Sequence, residues 1–218
     1  MQKSLFFGKV LHNMKKIIAF SLVFIVAISF GVFAYAEETE EQKLFDYSGF
    51  EQYANYEYDK FDDQWYYYEA YLKEYSDGNV IIGMDVNGYP NGKAQVNAPS
   101  LYVKVLDKNG KSLKTVTKID FLIDDVKYSY NKMLEGDTTS SVFLATQGKA
   151  LVEAIANSKS ISVKITMGSS DLKIDLDQNQ VDKTLKVISK ALLENNVWDY
   201  LLESAEQFET AWPLTIKK

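Results

Sequence analysis

Carboxylates are the side chains through which this chain could most readily perform acid–base chemistry. Asp62 and Asp63 lie beside a cluster of aromatic residues, and Asp124 and Asp125 occupy a predicted turn. Two carboxylates about 5–10 Å apart can act as the acid and base of a glycosidase. Such a pair needs a cleft that raises one pKa, and Asp residues in turns usually serve the turn itself. A carboxylate-based hydrolase is therefore the catalytic alternative for this chain.

The composition removes several other kinds of catalytic site. There is no Cys and no Arg, and the one His, His12, precedes the apolar segment near the N-terminus. Without Cys there is no thiolate nucleophile, disulfide or Cys-ligated metal site. Because the chain after His12 contains no His, Ser-His-Asp and Cys-His relays are excluded there. The absence of Arg removes the bidentate fork that binds phosphate. We therefore predict a protein that is not an enzyme.

Aromatic residues are unusually dense between residues 45 and 75, where 13 of 31 are Phe, Tyr or Trp. If residues 64–71 form a strand, successive side chains point to opposite faces, so both faces are aromatic. Tyr and Trp offer apolar area with a polar tip, which suits a sugar ring or a partner protein. The alternative is a sheet packed on both sides. The predicted ligand-binding residues are Trp65, Tyr66, Tyr67 and Tyr68, with Asp62 and Asp63 as a polar rim.

A short acidic run resembles the start of a calcium-binding loop. Asp175, Asp177 and Asn179 alternate as in the first half of an EF-hand. The pattern then fails, because Gln180 replaces the sixth-position Gly and Lys186 replaces the twelfth-position Glu. We predict no metal site and no cofactor, with weak extracellular calcium binding as the open alternative.

The N-terminal segment has the pattern of an export signal. Lys15 and Lys16 precede the apolar run 17–33, and Ala34 and Ala36 form the small-x-small pattern that signal peptidase recognises. We predict a functional start at Met14, cleavage after Ala36, and a secreted or extracellular protein, including one held at the cell surface. An uncleaved anchor is the alternative, because 17 apolar residues lie at the short limit for a spanning helix.

The charge balance limits the partners. The lysines at positions 3, 9, 15 and 16 precede Ala36, so removing them lowers the formal net charge from −6 to −10. With no basic cluster, nucleic acid is not an expected partner, and contact with a membrane is expected only through an uncleaved leader. We predict a carbohydrate or another envelope protein as the partner. The sequence leaves the oligomeric state open.

The chain divides into four predicted segments. Residues 1–36 are an N-terminal extension and signal peptide, 37–57 an acidic and aromatic tether, 58–195 a β-rich domain, and 196–218 a C-terminal helical segment. Runs rich in Tyr, Val and Ile between turn residues predict about eight strands. The predicted fold is α+β and mainly β: an antiparallel β-sandwich-like domain with one embedded helix and a C-terminal helical segment.

Periodicity predicts individual elements. Residues 161–165 and 172–176 alternate strictly around a Gly-Ser-Ser turn, which indicates a hairpin. Residues 112–123 indicate one strand. Thr146 is positioned to cap a helix that ends near residue 157. Helical spacing recurs over 181–193 and over 197–208, where an apolar stripe either docks a partner or packs on the protein's own sheet. The residues of this stripe are Trp198, Leu201, Leu202, Ala205 and Phe208.

Two short motifs are Tyr58-Asp59-Lys60-Phe61 followed by Trp65, and Ala156-Asn157-Ser158-Lys159 followed by an alternating strand. In these motifs the chain resembles a broad group of uncharacterised exported bacterial proteins of secreted or lipoprotein type. The resemblance covers residues 58–195 and implies a β-sandwich-like α+β domain. It implies no catalytic residues.

These observations together predict an exported bacterial protein with a non-catalytic binding role. It would use an aromatic-rich surface at the cell envelope or in the medium. A glycosidase-like hydrolase and a membrane-anchored structural component of the envelope are the alternatives.

Overall fold

Twelve strands form two antiparallel sheets in the part of the chain that the computed structural model describes, residues 45–75, 77–89, 95–112, 115–136, 139–201, 208 and 210–218. In chain order the strands are β1 (Tyr56–Asp59), β2 (Gln64–Tyr75), β3 (Gly78–Tyr89), β4 (Gln95–Val96), β5 (Ser100–Asp107), β6 (Lys118–Ile123), β7 (Val126–Tyr130), β8 (Leu134–Glu135), β9 (Ser140–Phe143), β10 (Ile161–Met167), β11 (Ser170–Asp175) and β12 (Leu214–Lys217).

The larger sheet has the order β1-β2-β3-β5-β9-β8, with β4 pairing on β3, and the smaller sheet has the order β11-β10-β6-β7-β12. The described helices are α1 (Gly148–Asn157), α2 (Gln178–Asp182) and α3 (Leu185–Glu194). Two 3₁₀ turns, Tyr47–Phe50 and Val197–Tyr200, lie before β1 and after α3. This arrangement confirms the predicted α+β, mainly β, sandwich-like fold.

The β2–β3 hairpin forms the centre of the larger sheet. Tyr and Trp favour strands, and β2 pairs with β3 without a bulge from Trp65 opposite Gly88 to Tyr75 opposite Gly78. Gly78 is required at the turn, because a Cβ there would lie 1.8 Å from the carbonyl oxygen of Leu106. The unbroken register means that alternate residues of β2 keep to one face along the whole strand.

One hydrophobic core joins both sheets and the three helices. The face of the larger sheet that carries Trp65, Tyr67 and Tyr71 lies in this core, and we call it the inner face. Helix α3 contacts β2 and β3 and packs along α1. Each large apolar side chain that is fully buried contributes about 1.5–3 kcal/mol. The buried residues of α3 are Leu185, Ile188, Ser189, Ala191 and Leu192.

Hydrogen bonds tie the helices to the larger sheet. The backbone N–H of Asp177 donates to the Tyr71 hydroxyl at 2.9 Å, and Nε2 of Gln180 donates to the Leu72 carbonyl at 2.9 Å. The Asp177 carboxylate in turn accepts from the backbone N–H of Gln180 at 3.0 Å, which caps α2. The start of α2 is therefore fixed against β2.

Several predicted elements differ from the observed ones. The predicted strand 112–123 begins only at Lys118, and α1 begins at Gly148 with Gln147, rather than Thr146, at the N-cap position. The predicted tether is partly folded, because Phe45 and Phe50 are buried in the core. The C-terminal segment is not wholly helical, since β12 pairs with β7. The predicted hairpin of residues 161–176 is present as β10 and β11.

Some predictions lie outside the described residues. These are the signal peptide with Ala34 and Ala36, the first part of the tether, and the positions of Leu202 and Ala205 in the C-terminal stripe. In the described part of the chain, no helix has the length and apolar character needed to cross a membrane.

Candidate functional site

The turn between β1 and β2 carries the most exposed large apolar side chain among the described residues. Phe61 is 100% exposed, and Tyr58 near the end of β1 is 41% exposed. We call residues 58–63 the hairpin tip. A single exposed aromatic residue is common on protein surfaces, so the hairpin tip needs further evidence before it is a candidate binding site.

That evidence is the order of the turn. One carboxylate oxygen of Asp59 accepts from the backbone N–H of Phe61 at 2.8 Å and from that of Asp62 at 3.4 Å. The Tyr58 hydroxyl donates to the carboxylate of Asp63, which has a left-handed φ of 48°. This hydrogen bond to Asp63 raises the pKa of Tyr58 to about 12. These hydrogen bonds therefore hold the backbone of the turn at Phe61 in a defined conformation.

The hairpin tip and the residue before it are acidic. Between Glu57 and Asp63 there are four carboxylates and one lysine, Lys60. Glu57, Lys60 and Asp62 are exposed, while Asp59 and Asp63 are partly buried by the turn. The segment that carries the exposed ring of Phe61 is thus predominantly acidic. Such a surface complements an apolar pocket with a basic rim.

The structure removes Trp65 and Tyr67 from the predicted stacking surface. Trp65 is 1% exposed and Tyr67 is 0% exposed, so neither offers a ring face to a ligand. The cause is the segment before β1: Phe50 lies 5.3 Å from Trp65 and Tyr53 lies 4.8 Å from Tyr67, measured between ring centroids. Aromatic residues of the predicted tether and of β2 therefore pack on each other in the core.

The other predicted residues lie on accessible parts of the molecule. Tyr66 and Tyr68 alternate with Trp65 and Tyr67 along β2, so they lie on the opposite face of the larger sheet, which we call the outer face. Both are partly exposed. Asp62 and Asp63 belong to the hairpin tip. The structure thus separates the predicted site into the hairpin tip and the outer face.

On the outer face, strand register places polar residues side by side. Tyr68 is opposite Asp85, and Asp85 is opposite Ser100. The Ser100 hydroxyl donates to Asp85 at 2.7 Å. Burial raises the pKa of Asp85 to about 6, although the hydrogen bond from Ser100 acts in the other direction. The sequence gives no signal for this row, because Asp85 on β3 and Ser100 on β5 are brought together only by strand pairing.

Tyr102 lies beside this row, across the backbone of Gly83. A Cβ at Gly83 would lie 2.2 Å from Cζ of Tyr102, so the ring occupies the space that only glycine leaves free. The Tyr102 hydroxyl is buried and makes no hydrogen bond within the described structure. Burial, and then the nearby Asp85 carboxylate, raise the pKa of Tyr102. Its hydroxyl is therefore a protonated donor at neutral pH.

A polar network borders the same face. The Tyr66 hydroxyl donates to Oε1 of Gln64, and Nε2 of Gln64 donates to Oδ1 of Asn87 at 3.2 Å. Nδ2 of Asn97 donates to the same oxygen at 2.5 Å. Tyr66 is thus held by this network at the edge of the outer face.

Three of the remaining carboxylates that the sequence singled out, those of Asp124, Asp175 and Asp177, have structural partners. Asp124 accepts from the backbone N–H groups of Lys159 and Ser160. Asp175 accepts from the Ser162 hydroxyl at 2.6 Å, and Asp177 caps α2. No group of three or more acidic or histidine side chains arranged for a metal ion occurs in the described residues. The start of the EF-hand-like run therefore serves strand pairing and helix capping.

Two carboxylates with raised pKa values lie close together in the pairing of β2 with β3 but do not form a catalytic pair. Burial raises the pKa of Glu69, and Glu69 is opposite Met84, the neighbour of Asp85 on β3. Alternation along the strands places Glu69 on the inner face and Asp85 on the outer face. The two groups cannot act on one substrate, so this pair does not support the hydrolase alternative.

The C-terminal apolar stripe packs on the protein itself at the positions that are described. Nε1 of Trp198 donates to the carbonyls of Leu144 and Ala145 at 3.1 and 3.0 Å. The ring of Phe208 stacks on Phe143 with centroids 4.3 Å apart. These contacts favour internal packing over the docking of a partner.

Compared with known proteins, the chain matches no family model, no curated protein and no solved structure at a significant level.

Proposed function

We propose that this chain is an exported, non-catalytic binding domain that attaches to another protein of the cell envelope through the hairpin tip. The observation that carries the proposal is the fully exposed ring of Phe61, in a turn ordered by Asp59 and Asp63. Aromatic residues that fill a pocket of the partner supply much of the affinity of protein interfaces. Because the turn is already ordered, binding loses little conformational entropy.

The surrounding charge indicates the kind of partner. The carboxylates around Phe61 favour a protein whose pocket is apolar and whose rim carries Lys or Arg. Burying the ring of Phe61 would contribute about 1.5–3 kcal/mol, and the charges would mainly accelerate association. The predicted signal peptide supports a place of action outside the cytoplasm, where envelope proteins are available.

A photo-crosslinking experiment in the source bacterium tests this proposal. A benzoylphenylalanine replaces Phe61 in the full chain, and in a control chain it replaces Ile216, which is exposed on β12. We expect a discrete adduct from position 61 that is absent from position 216. N-terminal sequencing of the same exported product is expected to begin at Glu37.

The crosslinked protein is then purified and its affinity for the unmodified chain is measured. We expect Phe61→Ala to weaken binding by about tenfold or more, and added salt to slow association. Phe61→Leu, which keeps apolar area, should weaken binding less. The proposal fails if position 61 yields no adduct, or if Phe61→Ala leaves the affinity unchanged.

A further inference from the structure

We infer that this chain self-associates head to tail: the hairpin tip of one copy binds a solvent-exposed, lysine-bearing face of the smaller sheet on a second copy. This inference rests on the proposed function, because it uses the same hairpin tip and names a partner for it. The tip and the sheet face are different surfaces, so each copy can offer one and receive the other.

The smaller sheet has one face in the core and one face in contact with solvent, and we call the second the lysine face. Ile119, Phe121 and Ile165 lie on the core side, so the residues that alternate with them lie on the lysine face. Each of the five strands contributes one lysine to this face, and none of the five is buried. In strand order these lysines are Lys173, Lys164, Lys118, Lys127 and Lys217. Strand pairing thus gathers cations that are dispersed in the sequence.

Four of these lysines form two pairs in which like charges lie directly opposite each other. Lys164 is opposite Lys173 across β10 and β11, and Lys127 is opposite Lys217 across β7 and β12. Such like-charge pairs are destabilising in an antiparallel sheet. In each pair one lysine has an aspartate partner, whereas Lys173 and Lys217 make no ion pair with a described residue. Carboxylates of another molecule placed at either pair would relieve the repulsion.

The aspartates of the lysine face already have partners on it. Asp120 is buried between two lysines, Asp171 pairs with a lysine of β10 at 2.8 Å, and Asp175 accepts from a serine hydroxyl at 2.6 Å. Five lysines against three aspartates leave a formal excess of two positive charges on the strands of this face. The two carboxylates of residues 124–125 lie in the turn at one end of the face, so its positive side is the end away from this turn.

Leu122 supplies an apolar contact on the lysine face. It lies on the central strand β6, opposite Ser162 on β10 and Lys127 on β7, and it is 47% exposed. The methylene groups of the neighbouring lysine extend this apolar surface, while its ammonium group stays in water. Leu122 and Phe61 are two of the four large apolar side chains that are exposed among the described residues. Packing the ring of Phe61 on Leu122 would cover both.

The hairpin tip complements this surface in charge. With Glu57 it carries four carboxylates and one lysine, a formal charge of −3, against the positive excess of the lysine face. Glu57 and Asp62 are exposed, so their carboxylates are accessible to Lys164 and Lys173 on the positive side of the face. Phe61 is fully exposed in its own chain, so the lysine face that it meets belongs to another copy.

The size of the contact makes it weak. A short hairpin tip on a flat sheet buries less than the roughly 1,200 Å² of a stable interface. We therefore expect a dissociation constant on the order of 0.1–1 mM for each contact. Because every copy carries both surfaces, a higher concentration should give chains or rings of copies rather than a dimer alone.

Sedimentation velocity on the exported product, from about 10 µM to about 1 mM, tests the inference. We expect the mean mass to rise with concentration. Leu122→Thr should lower the association constant about fivefold or more, because Thr keeps the strand preference and removes the apolar contact. Ile216→Thr is the matched control: Ile216 is also 47% exposed, but alternation places it on the other face of the same sheet, so this variant should self-associate as the wild type does.

Mixing two variants tests the head-to-tail arrangement. Phe61→Ala lacks a working tip and Leu122→Thr lacks a working lysine face, so neither variant should associate appreciably with itself. Mixed in equal amounts, they should form a dimer and nothing larger, because only one pair of intact surfaces can meet. Thermal unfolding verifies that both variants are folded, as expected for substitutions of exposed side chains.

The inference is overturned if the exported product stays monomeric up to about 1 mM, if Leu122→Thr and Ile216→Thr associate equally, or if the mixture forms no dimer. These outcomes differ from failure of the proposed function. A monomeric product whose position 61 crosslinks to a different protein overturns the inference and leaves the proposed function in place. Self-association that Phe61→Ala leaves unchanged, together with no adduct at position 61, contradicts both.

Discussion

The backbone N–H of Lys159 donates to both carboxylate oxygens of Asp124, at 3.0 and 3.1 Å. The next residue, Ser160, adds hydrogen bonds from its N–H at 2.9 Å and its hydroxyl at 3.2 Å. Asp124 and Asp125 both have left-handed φ values, of 45° and 68°, and form the two-residue turn between β6 and β7. One turn carboxylate therefore holds the segment that links α1 to β10.

We expect Asp124→Ala to lower the free energy of unfolding by about 0.5–1.5 kcal/mol, because it removes the acceptor of two exposed backbone N–H groups, which water then replaces in part. Asp125→Ala is the matched control: Asp125 has the same left-handed conformation, but its carboxylate has no partner among the described residues. Urea unfolding of both variants measures the difference. If both variants lost the same free energy of unfolding, the backbone conformation rather than the Asp124 carboxylate would be what stabilises this turn.

Truncation of Trp65 and of Phe61, four positions apart, should affect stability to very different extents. Trp65→Ala removes a buried indole that stacks with Phe45 and Phe50, and we expect a loss of about 3–5 kcal/mol. Phe61→Ala should change the free energy of unfolding by less than about 0.5 kcal/mol, since its ring is fully exposed. Denaturant titration checks both values. A large loss for Phe61→Ala would mean that the ring is packed in solution.

The fold class could be predicted from the sequence because strands and turns leave local signals. The hairpin of β10 and β11 shows strict alternation around a Gly-containing turn, and this pattern predicts the ends of both strands to within two residues. β12 also alternates, over Leu214–Lys217, yet it is short and pairs with the distant β7. Short strands that depend on distant partners give too little local signal to be recognised.

The candidate site could be predicted only in part, for a reason that lies in the packing. Alternation correctly places Tyr66 and Tyr68 opposite Trp65 and Tyr67, but it does not say which face is covered. That depends on Phe45 and Phe50, which belong to a segment that composition alone describes as an acidic tether. Tyr102 gives no sequence signal, because its position depends on the space over Gly83, a contact that strand register fixes.

Asp120 is a buried carboxylate on the smaller sheet that lies between two lysines. Nζ of Lys127 is 3.1 Å from Oδ2, and Nζ of Lys118 is 3.3 Å from Oδ1. Burial alone would raise the pKa of Asp120, but the Ser129 hydroxyl and the two ammonium groups outweigh burial and lower it. A group whose pKa is lowered in the folded state stabilises the protein at pH values above its unfolded-state pKa. This stabilisation is lost as the pH falls through the folded-state pKa.

We therefore expect Asp120→Asn to destabilise the protein by about 1–3 kcal/mol near neutral pH, and by progressively less below about pH 4. Asp171→Asn is the control, since its pair with Lys164 at 2.8 Å is exposed to solvent and should contribute little to stability. Urea titrations at several pH values measure how the free energy of unfolding of each variant, relative to wild type, depends on pH. A constant difference between wild type and Asp120→Asn at all pH values would contradict the electrostatic explanation.

Asp85 should show the opposite dependence on pH. Burial raises its pKa to about 6, against an ordinary value of 3.8. Between these two values the folded state binds more protons at this site than the unfolded state does. The contribution of Asp85 is therefore most favourable below about pH 4 and is lost as the pH rises through about 6. The Tyr102 hydroxyl on β5 interacts with Asp85 and is uncharged in that range, because its pKa is raised.

Asp85→Asn should consequently stabilise the protein above about pH 7, by up to about 3 kcal/mol, and should have little effect near pH 4. Asn can still accept the hydrogen bond from Ser100, so the substitution removes mainly the charge. Ser100→Ala is the companion variant: it removes a donor that favours the ionised form, so it should destabilise the protein more at high pH than at low pH. Thermal unfolding of the three proteins across this range measures the curves. Parallel curves for wild type and Asp85→Asn would show that Asp85 is solvated and ionises normally.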